Sequence, residues 1–248
     1  MAAMAKVFFI GAGPGGDPEL LTVKAARIIK KAPLVIYAGS LLHERLLSGL
    51  EAEVINSHGL SLEELLDIMS QAVAKGKNVA RLHSGDTAFY SALNEEAAGL
   101  RERGIPYEVI PGVSSASLGA ARLGLELTMP EVSQTVVFTR LGGKTPGPSL
   151  EDLAYFARED TTLVIFLSVA RAREIEAALL KRLPPETPVV VAEKLGYPEE
   201  RLLKGSLAEL GTLVEKAGIR QTALIYVGKA LLAAEKPQKT RSKLYGPK

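Results

Sequence analysis

The 248-residue chain contains no cysteine, which excludes disulfides, thiolate metal sites and a cysteine nucleophile. Its three histidines, His43, His58 and His83, are too scattered in sequence to argue for a metal site, so a satisfied, ordinary side chain is expected at each. No apolar stretch escapes interruption by charge for the roughly 18–20 residues that a membrane span needs. The opening Met1-Ala2-Ala3-Met4-Ala5-Lys6 is no signal peptide, and a cytoplasmic protein without membrane attachment is expected. Nowhere do aromatic residues interleave with basic ones as a single-strand nucleic-acid groove requires. Net charge is also small. The formal value is +2, and residues 233–248 carry five Lys or Arg against one Glu, which leaves the rest near −2. That end, with Pro237, Gly246 and Pro247, reads as a solvated basic tail with poor order and not as a nucleic-acid arm.

What is present begins with Val7-Phe8-Phe9-Ile10-Gly11-Ala12-Gly13-Pro14-Gly15-Gly16-Asp17-Pro18, an apolar strand running into glycines. Glycines take positive φ and let a ligand approach the backbone closely. Asp17 before Pro18 reads as the N-cap and first residue of a helix from 18 to about 31. Gly11, Gly13 and Gly16 fit the dinucleotide fingerprint, which also requires an acidic residue about 20 positions on for the ribose hydroxyls. Leu34-Val35-Ile36-Tyr37-Ala38-Gly39-Ser40 offers none, which counts against a nicotinamide or flavin enzyme.

Further along, Ser61-Leu62-Glu63-Glu64 opens a helix with a capping box, and Leu62, Leu65, Leu66, Met69 and Val73 share its apolar face. Met69 is core filler on this reading. A strand at 78–82 delivers the chain into His83-Ser84-Gly85-Asp86-Thr87-Ala88-Phe89-Tyr90, a second ligand loop. A helix over 91–103, a strand over 107–110 and Pro111-Gly112-Val113-Ser114-Ser115 follow, then a helix to about Leu123. Strands alternating with helices predict a mostly parallel sheet, with these glycine-containing loops meeting beyond its strand ends. The second half predicts strands at 135–139, 162–166, 189–192 and 222–228, weakly at 202–204, and helices over about 169–182 and 206–217. Residues 142–148, rich in Gly and Pro, read as a mobile loop.

These motifs resemble the tetrapyrrole methylase family from Val7 to about Val227. The family-wide marks are Gly-Ala-Gly-Pro before Asp17-Pro18-Glu19-Leu20-Leu21-Thr22, the Ser84-Gly85-Asp86 loop and Pro111-Gly112-Val113-Ser114-Ser115. Narrower marks, Tyr37-Ala38-Gly39-Ser40-Leu41 and Pro130-Glu131-Val132-Ser133-Gln134-Thr135 with Thr139-Arg140, resemble the enzymes that methylate C-11 of precorrin-4 or cobalt-precorrin-4 in cobalamin biosynthesis. The resemblance implies two α/β domains, here 1–113 and 114–232, with S-adenosylmethionine in the cleft between them, usually in a homodimer. It implies cofactor contacts at Pro14, Ser84, Gly85, Asp86, Phe89, Ser114, Ser115, Leu167, Leu195, Thr222 and Ala223. The extra glycine of the Gly15-Gly16 pair departs from the family pattern.

A sulfonium methyl is already activated and the implied acceptor carbon is an electron-rich nucleophile, so alignment supplies the largest share of the acceleration, about 7–11 kcal/mol. Asp86, the catalytic candidate, either orients the cofactor or holds its loop through backbone N–H bonds. A macrocycle bearing many carboxylates calls for Arg or Lys at the site's rim. Arg140 and Lys144 are the first candidates, with Arg81 and Arg171 behind them. Tyr37 and Tyr90 either stack on the macrocycle or are polar-tipped core residues. No metal ligand is expected; any cobalt would arrive inside the substrate. The competing readings are a methylase acting at another corrin position, or on protein or RNA, a dinucleotide oxidoreductase and a non-catalytic binding module.

Overall fold

A computed structural model describes residues 4–39, 42 and 44–234. The chain divides into two compact units, one of residues up to Ser115 with Gly196–Pro198, the other of Ala116–Leu195 with the residues from Glu199 on. The Ser40-Leu41 part of the Tyr37 motif, His43 and the tail from residue 235 lie outside the described residues.

The first unit is built on five parallel strands, β1 (Val7–Gly11), β2 (Leu34–Tyr37), β3 (Glu53–Asn56), β4 (Val79–His83) and β5 (Tyr107–Ile110), in the order β3-β2-β4-β1-β5. β1 and β2 read as nearly continuous apolar runs because both faces of a parallel sheet are covered. One face packs Phe9, Ile36 and Val79 against Leu65, Leu66 and Met69 of α2 (Leu62–Ala74) and Leu100 of α3 (Leu93–Glu102). Ile10, Val35 and Leu82 on the other face meet Ala25 and Ile29 of α1 (Val23–Lys31). The Ser61–Glu64 capping box that starts α2 is formed in both directions, and Met69 is fully buried.

The helix expected over 18–31 is broken. The Asp17 side chain accepts from the Glu19 N–H and caps a single 3₁₀ turn, Pro18–Leu20. Leu21 and Thr22 are extended, and the Thr22 hydroxyl accepts from the Ala25 N–H to begin α1. Thr22 was the stronger N-cap, four residues past the expected helix start.

In the second unit the order is β6-β7-β10-β8-β9, formed by β6 (Thr135–Arg140), β7 (Thr161–Phe166), β8 (Pro188–Glu193), β9 (Arg201–Ser206) and β10 (Ala223–Val227). Only β6 and β7 pair in parallel; the other pairs are antiparallel. On one face Leu163, Ile165, Val191 and Ile225 pack with α5 (Leu150–Phe156), α6 (Ala172–Leu179) and α7 (Leu210–Ala217). Tyr226 is fully buried and its hydroxyl donates to the Ala116 carbonyl of α4 (Ser115–Leu123). Gly119 allows this approach, since a Cβ there would lie 2.0 Å from the Tyr226 oxygen. Helix α5 was not expected, although Ser149 and Asp152 form a complete capping box at its start.

Candidate functional site

In the first sheet β1 and β4 are neighbours, yet the helices that follow them, α1 and α3, lie on opposite faces. Such a switch point opens a crevice beyond the carboxyl ends of the strands. The loops after β1 and β4 are joined there: Gly13 and Gly85 exchange N–H···O bonds of 3.1 and 2.9 Å, and the Ala12 N–H donates to the His83 carbonyl. The loop after β5 closes against both. A Cβ on Gly11 would sit 2.5 Å from the Gly112 nitrogen, and one on Gly112 would sit 2.4 Å from the Gly85 carbonyl oxygen. Gly11 and Gly112 therefore meet where no side chain fits, while Gly85 is glycine because of its φ of +71°.

Asp86 fastens this junction. Its Oδ1 accepts from the Ala88 N–H at 2.7 Å and its Oδ2 from the Gly112 N–H at 2.7 Å. Of the two roles open to it, the hydrogen bonds display loop-holding. Phe89 and Tyr90 stand on the same loop with 37% and 46% of their surface exposed, and Tyr90 is left-handed at φ +53°. Ser84 is half-buried, Gly85 and Ser114 are buried, and half-buried Ser115 begins α4. Pro14 is buried, with its carbonyl against Gly196: a Cβ on Gly196 would fall 2.3 Å from that oxygen, and one on Gly15 2.3 Å from the Gly196 carbonyl carbon. The unusual Gly15-Gly16 pair adopts φ of +70° and +73°. Gly15 thereby admits the backbone of Gly196–Pro198.

Beneath these loops lies a polar group that sequence spacing did not reveal. Arg81 on β4 is 6% exposed and grips Glu96 of α3 with Nε and Nη2, both at 2.9 Å. Its Nη1 donates to the Ser57 hydroxyl, which in turn donates to the Tyr37 carbonyl. Arg81 is thus a buried brace and not a rim cation, as considered from sequence. His83, two residues on, faces the same side. Burial is the main cause that lowers its pKa to about 4; Arg81 adds to the effect, whereas Glu96 and a backbone bond to Ser91 oppose it. Tyr37 itself packs against the core on the α1 face.

The second unit gathers its candidates at one end of its own sheet. Arg140 pairs with Phe166 at the ends of β6 and β7, and Ala223 at the start of β10 pairs with Glu193 at the end of β8. Leu167, Lys194 and Thr222, just beyond these strands, all have positive φ, at +52°, +48° and +55°. Non-glycine residues rarely adopt such conformations, which concentrate at ligand sites. The Lys194 N–H donates to the Thr222 carbonyl at 2.8 Å. Leu167 is 66% exposed, an apolar side chain held in solvent, while Leu195 and Ala223 are buried.

The loop 142–148, expected to be mobile, is braced. Arg140 Nη2 donates to the Pro146 carbonyl, Arg171 Nη1 to the Gly142 carbonyl, and the Gly142 N–H to the Pro148 carbonyl. Arg171 also forms an ion pair with Glu174, so both arginines hold the loop from which exposed Lys144 projects. His58 is exposed, and among the described residues no group of His, Asp and Glu is arranged to hold a metal ion. Nor is any helix among them long and apolar enough to cross a membrane.

Comparison with known proteins agrees with this geometry. The sequence profile of the tetrapyrrole (corrin/porphyrin) methylases matches residues 6–211. A precorrin-4 C(11)-methyltransferase of Pseudomonas aeruginosa is 44% identical over 228 residues, 92% of this chain and 91% of that protein. A cobalt-precorrin-4 C(11)-methyltransferase of Methanocaldococcus jannaschii is also 44% identical, over 91% of this chain and 88% of its own length. Among solved structures, a cobalt-precorrin-4 methyltransferase of cobalamin biosynthesis superposes with a TM-score of 0.87 at 37% identity, covering 91% of this chain and 95% of that one. The uroporphyrin-III C-methyltransferase of Thermus thermophilus complexed with S-adenosylhomocysteine superposes with a TM-score of 0.77 at 30% identity, covering 95% and 97%.

Proposed function

Because the chain belongs to the tetrapyrrole (corrin/porphyrin) methylases, we propose that it is the S-adenosylmethionine-dependent enzyme that methylates C-11 of precorrin-4 or cobalt-precorrin-4 in cobalamin biosynthesis. The observation that carries this reading is the 44% identity to enzymes of that one specificity, spread over more than nine-tenths of the chain. The two relatives with that identity act on the metal-free and the cobalt-bearing substrate respectively, and either is accepted by the proposal. The enzyme works in the cytoplasm as a homodimer.

S-adenosylmethionine, when bound, supplies a methyl group already activated by its sulfonium. The residues present fit such a donor. At the switch point Gly85 has nothing nearer than 3.8 Å where a Cβ would stand, Phe89 and Leu167 keep apolar surface in solvent, and the Asp86 carboxylate is engaged by backbone N–H groups. In the first unit Pro14, Ser84, Gly85, Phe89, Ser114 and Ser115 would hold the donor; in the second, Leu167, Leu195, Thr222 and Ala223. Asp86 fixes the loop that carries three of these. Methyl transfer to an electron-rich carbon makes modest demands for proton movement, so rigid presentation is the chain's main contribution, and alignment alone reaches about 7–11 kcal/mol. Lys144 and the guanidinium of Arg140 attract the carboxylates of the macrocycle, while Tyr90 offers a ring for it to stack on.

Incubation with labelled S-adenosylmethionine and each precorrin-4 form tests the proposal. Label in a product methylated at C-11 is expected; transfer to another carbon, or to neither substrate, would overturn it. Light scattering should return the mass of a dimer, and a monomer at working concentration would refute that part alone.

A further inference from the structure

Helix α1 carries a charged stripe beside its apolar one. Ala25 and Ile29 are buried beneath the helix, whereas Lys24, Arg27, Ile28 and Lys31 stand at i, i+3, i+4 and i+7, a spacing that a helix normally fills with apolar side chains. Here three of the four are cations. They border a cavity of about 370 Å³ whose other walls are Phe8 of β1, Glu108 of β5, Ala32 and Asn78. Sites for small molecules run from about 300 Å³ upward. The donor loops lie beyond the carboxyl ends of the strands, and this cavity lies at the other end. Phe8 is the second residue of β1 and Asn78 directly precedes β4; along an extended strand, Phe8 is roughly 16 Å from Gly13. All of the lining belongs to the first unit.

Its charge is out of balance. Glu108 is the one carboxylate in the lining, and its oxygens already accept from Lys6 and Lys24. Arg27 and Lys31, exposed and one helical turn apart, meet no ion-pair partner among the described residues. Like charges at i and i+4 destabilise a helix, a cost that a bound anion would remove. One carboxylate would leave one of these two cations unbalanced. A phosphate monoester carries about −1.5 to −2 charges at pH 7 and offers three acceptor oxygens. The Asn78 side-chain oxygen is taken by the Lys6 N–H, which leaves its amide N–H groups as further donors. The inner wall is apolar: Phe8 and Ile28 are half-buried and Ala32 is buried, with the Lys6 ammonium 5.4 Å from the centroid of the Phe8 ring. A flat ring carried by the phosphate would cover that wall.

We propose that this cavity is a second ligand site, for a small phosphate monoester on a flat ring, of the nucleotide class: Arg27 and Lys31 hold the phosphate, and Phe8 and Ile28 receive the ring. It is separate from the donor crevice and takes its ligand with the donor in place.

Calorimetric titration of the chain with uridine 5′-monophosphate in saturating S-adenosylhomocysteine tests the proposal. Uridine lacks the charge and inorganic phosphate lacks the ring. The expected result is one uridine monophosphate per chain, with uridine and inorganic phosphate each weaker by about tenfold or more. Replacing both cations, Arg27→Gln with Lys31→Gln, should weaken the monophosphate by about tenfold or more, leave Tm unchanged or higher and keep S-adenosylhomocysteine affinity within about twofold. Should the double variant fail to fold, Arg27→Gln and Lys31→Gln are measured singly, and each should weaken the monophosphate. No binding tighter than about 1 mM, or wild-type affinity in the variants, would overturn the site. Inorganic phosphate bound as tightly as the ester would overturn the nucleotide class, and uridine bound as tightly would overturn the role of the two cations. Monophosphate that binds only when S-adenosylhomocysteine is left out would overturn the separation of the two sites. A wild-type chain that takes up the monophosphate but no S-adenosylhomocysteine would overturn the donor reading and leave this site standing.

Discussion

Replacing Asp86 separates two ways in which a loop carboxylate can matter. Each carboxylate oxygen accepts one backbone N–H at 2.7 Å, Oδ1 from Ala88 and Oδ2 from Gly112. The two bonds are unequal. Ala88 is exposed, and its N–H can turn to water when the carboxylate is removed. Gly112 is pressed between Gly11 and the Gly85 carbonyl, so its N–H is left without a ready replacement, and a lost bond to a charged acceptor there is worth about 1.5–3 kcal/mol. Asp86→Asn retains one oxygen and so keeps one of the two bonds; Asp86→Ala loses both. If the loop must be held before the donor binds, a loosening of about 2 kcal/mol lowers affinity by up to about 30-fold. Calorimetry with S-adenosylhomocysteine and thermal unfolding should thus show a graded series, wild type above Asp86→Asn above Asp86→Ala, in both affinity and Tm. Unchanged affinity with a lowered Tm would mean that the clasp is structural only. A fall of several thousand-fold in kcat at unchanged affinity would refute the loop-holding account and place Asp86 in the chemistry.

Glu96→Ala strands the buried Arg81 guanidinium and should destabilise the chain by about 3–5 kcal/mol in denaturant unfolding, whereas leucine at both positions should cost much less, because both charges leave the interior together. Gly15→Ala combines φ +70° with a Cβ 2.3 Å from the Gly196 backbone and should cost at least about 2 kcal/mol; Gly49→Ala, with φ +74° and nothing within 4 Å, should cost only the left-handed penalty of about 1–2 kcal/mol. His83, whose pKa falls from 6.5 to about 4 on burial, stays neutral in the folded chain while the unfolded chain takes up a proton below pH 6.5. Its contribution is complete above pH 6.5 and is lost progressively down to about pH 4, where roughly 3 kcal/mol has gone; urea midpoints measured across that window should flatten in His83→Asn. Lys144→Ala should weaken the tetrapyrrole about 10-fold or more and leave S-adenosylhomocysteine affinity within twofold, an effect that shrinks at high salt; an equal loss for both ligands would assign Lys144 to loop structure.

Much of the first unit was legible because its ligand loops impose constraints within short windows. A glycine is needed where Gly11 and Gly112 touch and at the left-handed Gly85, and an Asx-type acceptor is needed at Asp86, so the pattern is written locally after each strand. The Ser61–Glu64 box was legible for the same reason, since cap and partner are three residues apart. The Ser149–Asp152 box carries that signal as well, but it follows a Gly- and Pro-rich stretch and opens a helix of only seven residues, so loop composition dominated the reading. In the first turn the opposite happened: Asp17-Pro18 is a strong start signal, and it obscured the later one at Thr22.

What escaped the sequence depends on partners distant along the chain or on backbone strain. Arg81 and Glu96 sit on a strand and a helix 15 residues apart, a separation that no periodic template connects, and a lone arginine before a ligand loop reads equally well as a rim cation. Leu167, Lys194 and Thr222 have no compositional mark at all, because their positive φ is imposed by the strand ends around them. Pairing direction in the second sheet was partly recoverable: the short connection from Glu193 to Arg201 admits an antiparallel neighbour and is too short for a parallel crossover. Glycine is a residue type that can be read directly from the sequence, so the strand-end loops of the first unit stand out, while those of the second unit take left-handed conformations at Leu167, Lys194 and Thr222, residue types that carry no such mark.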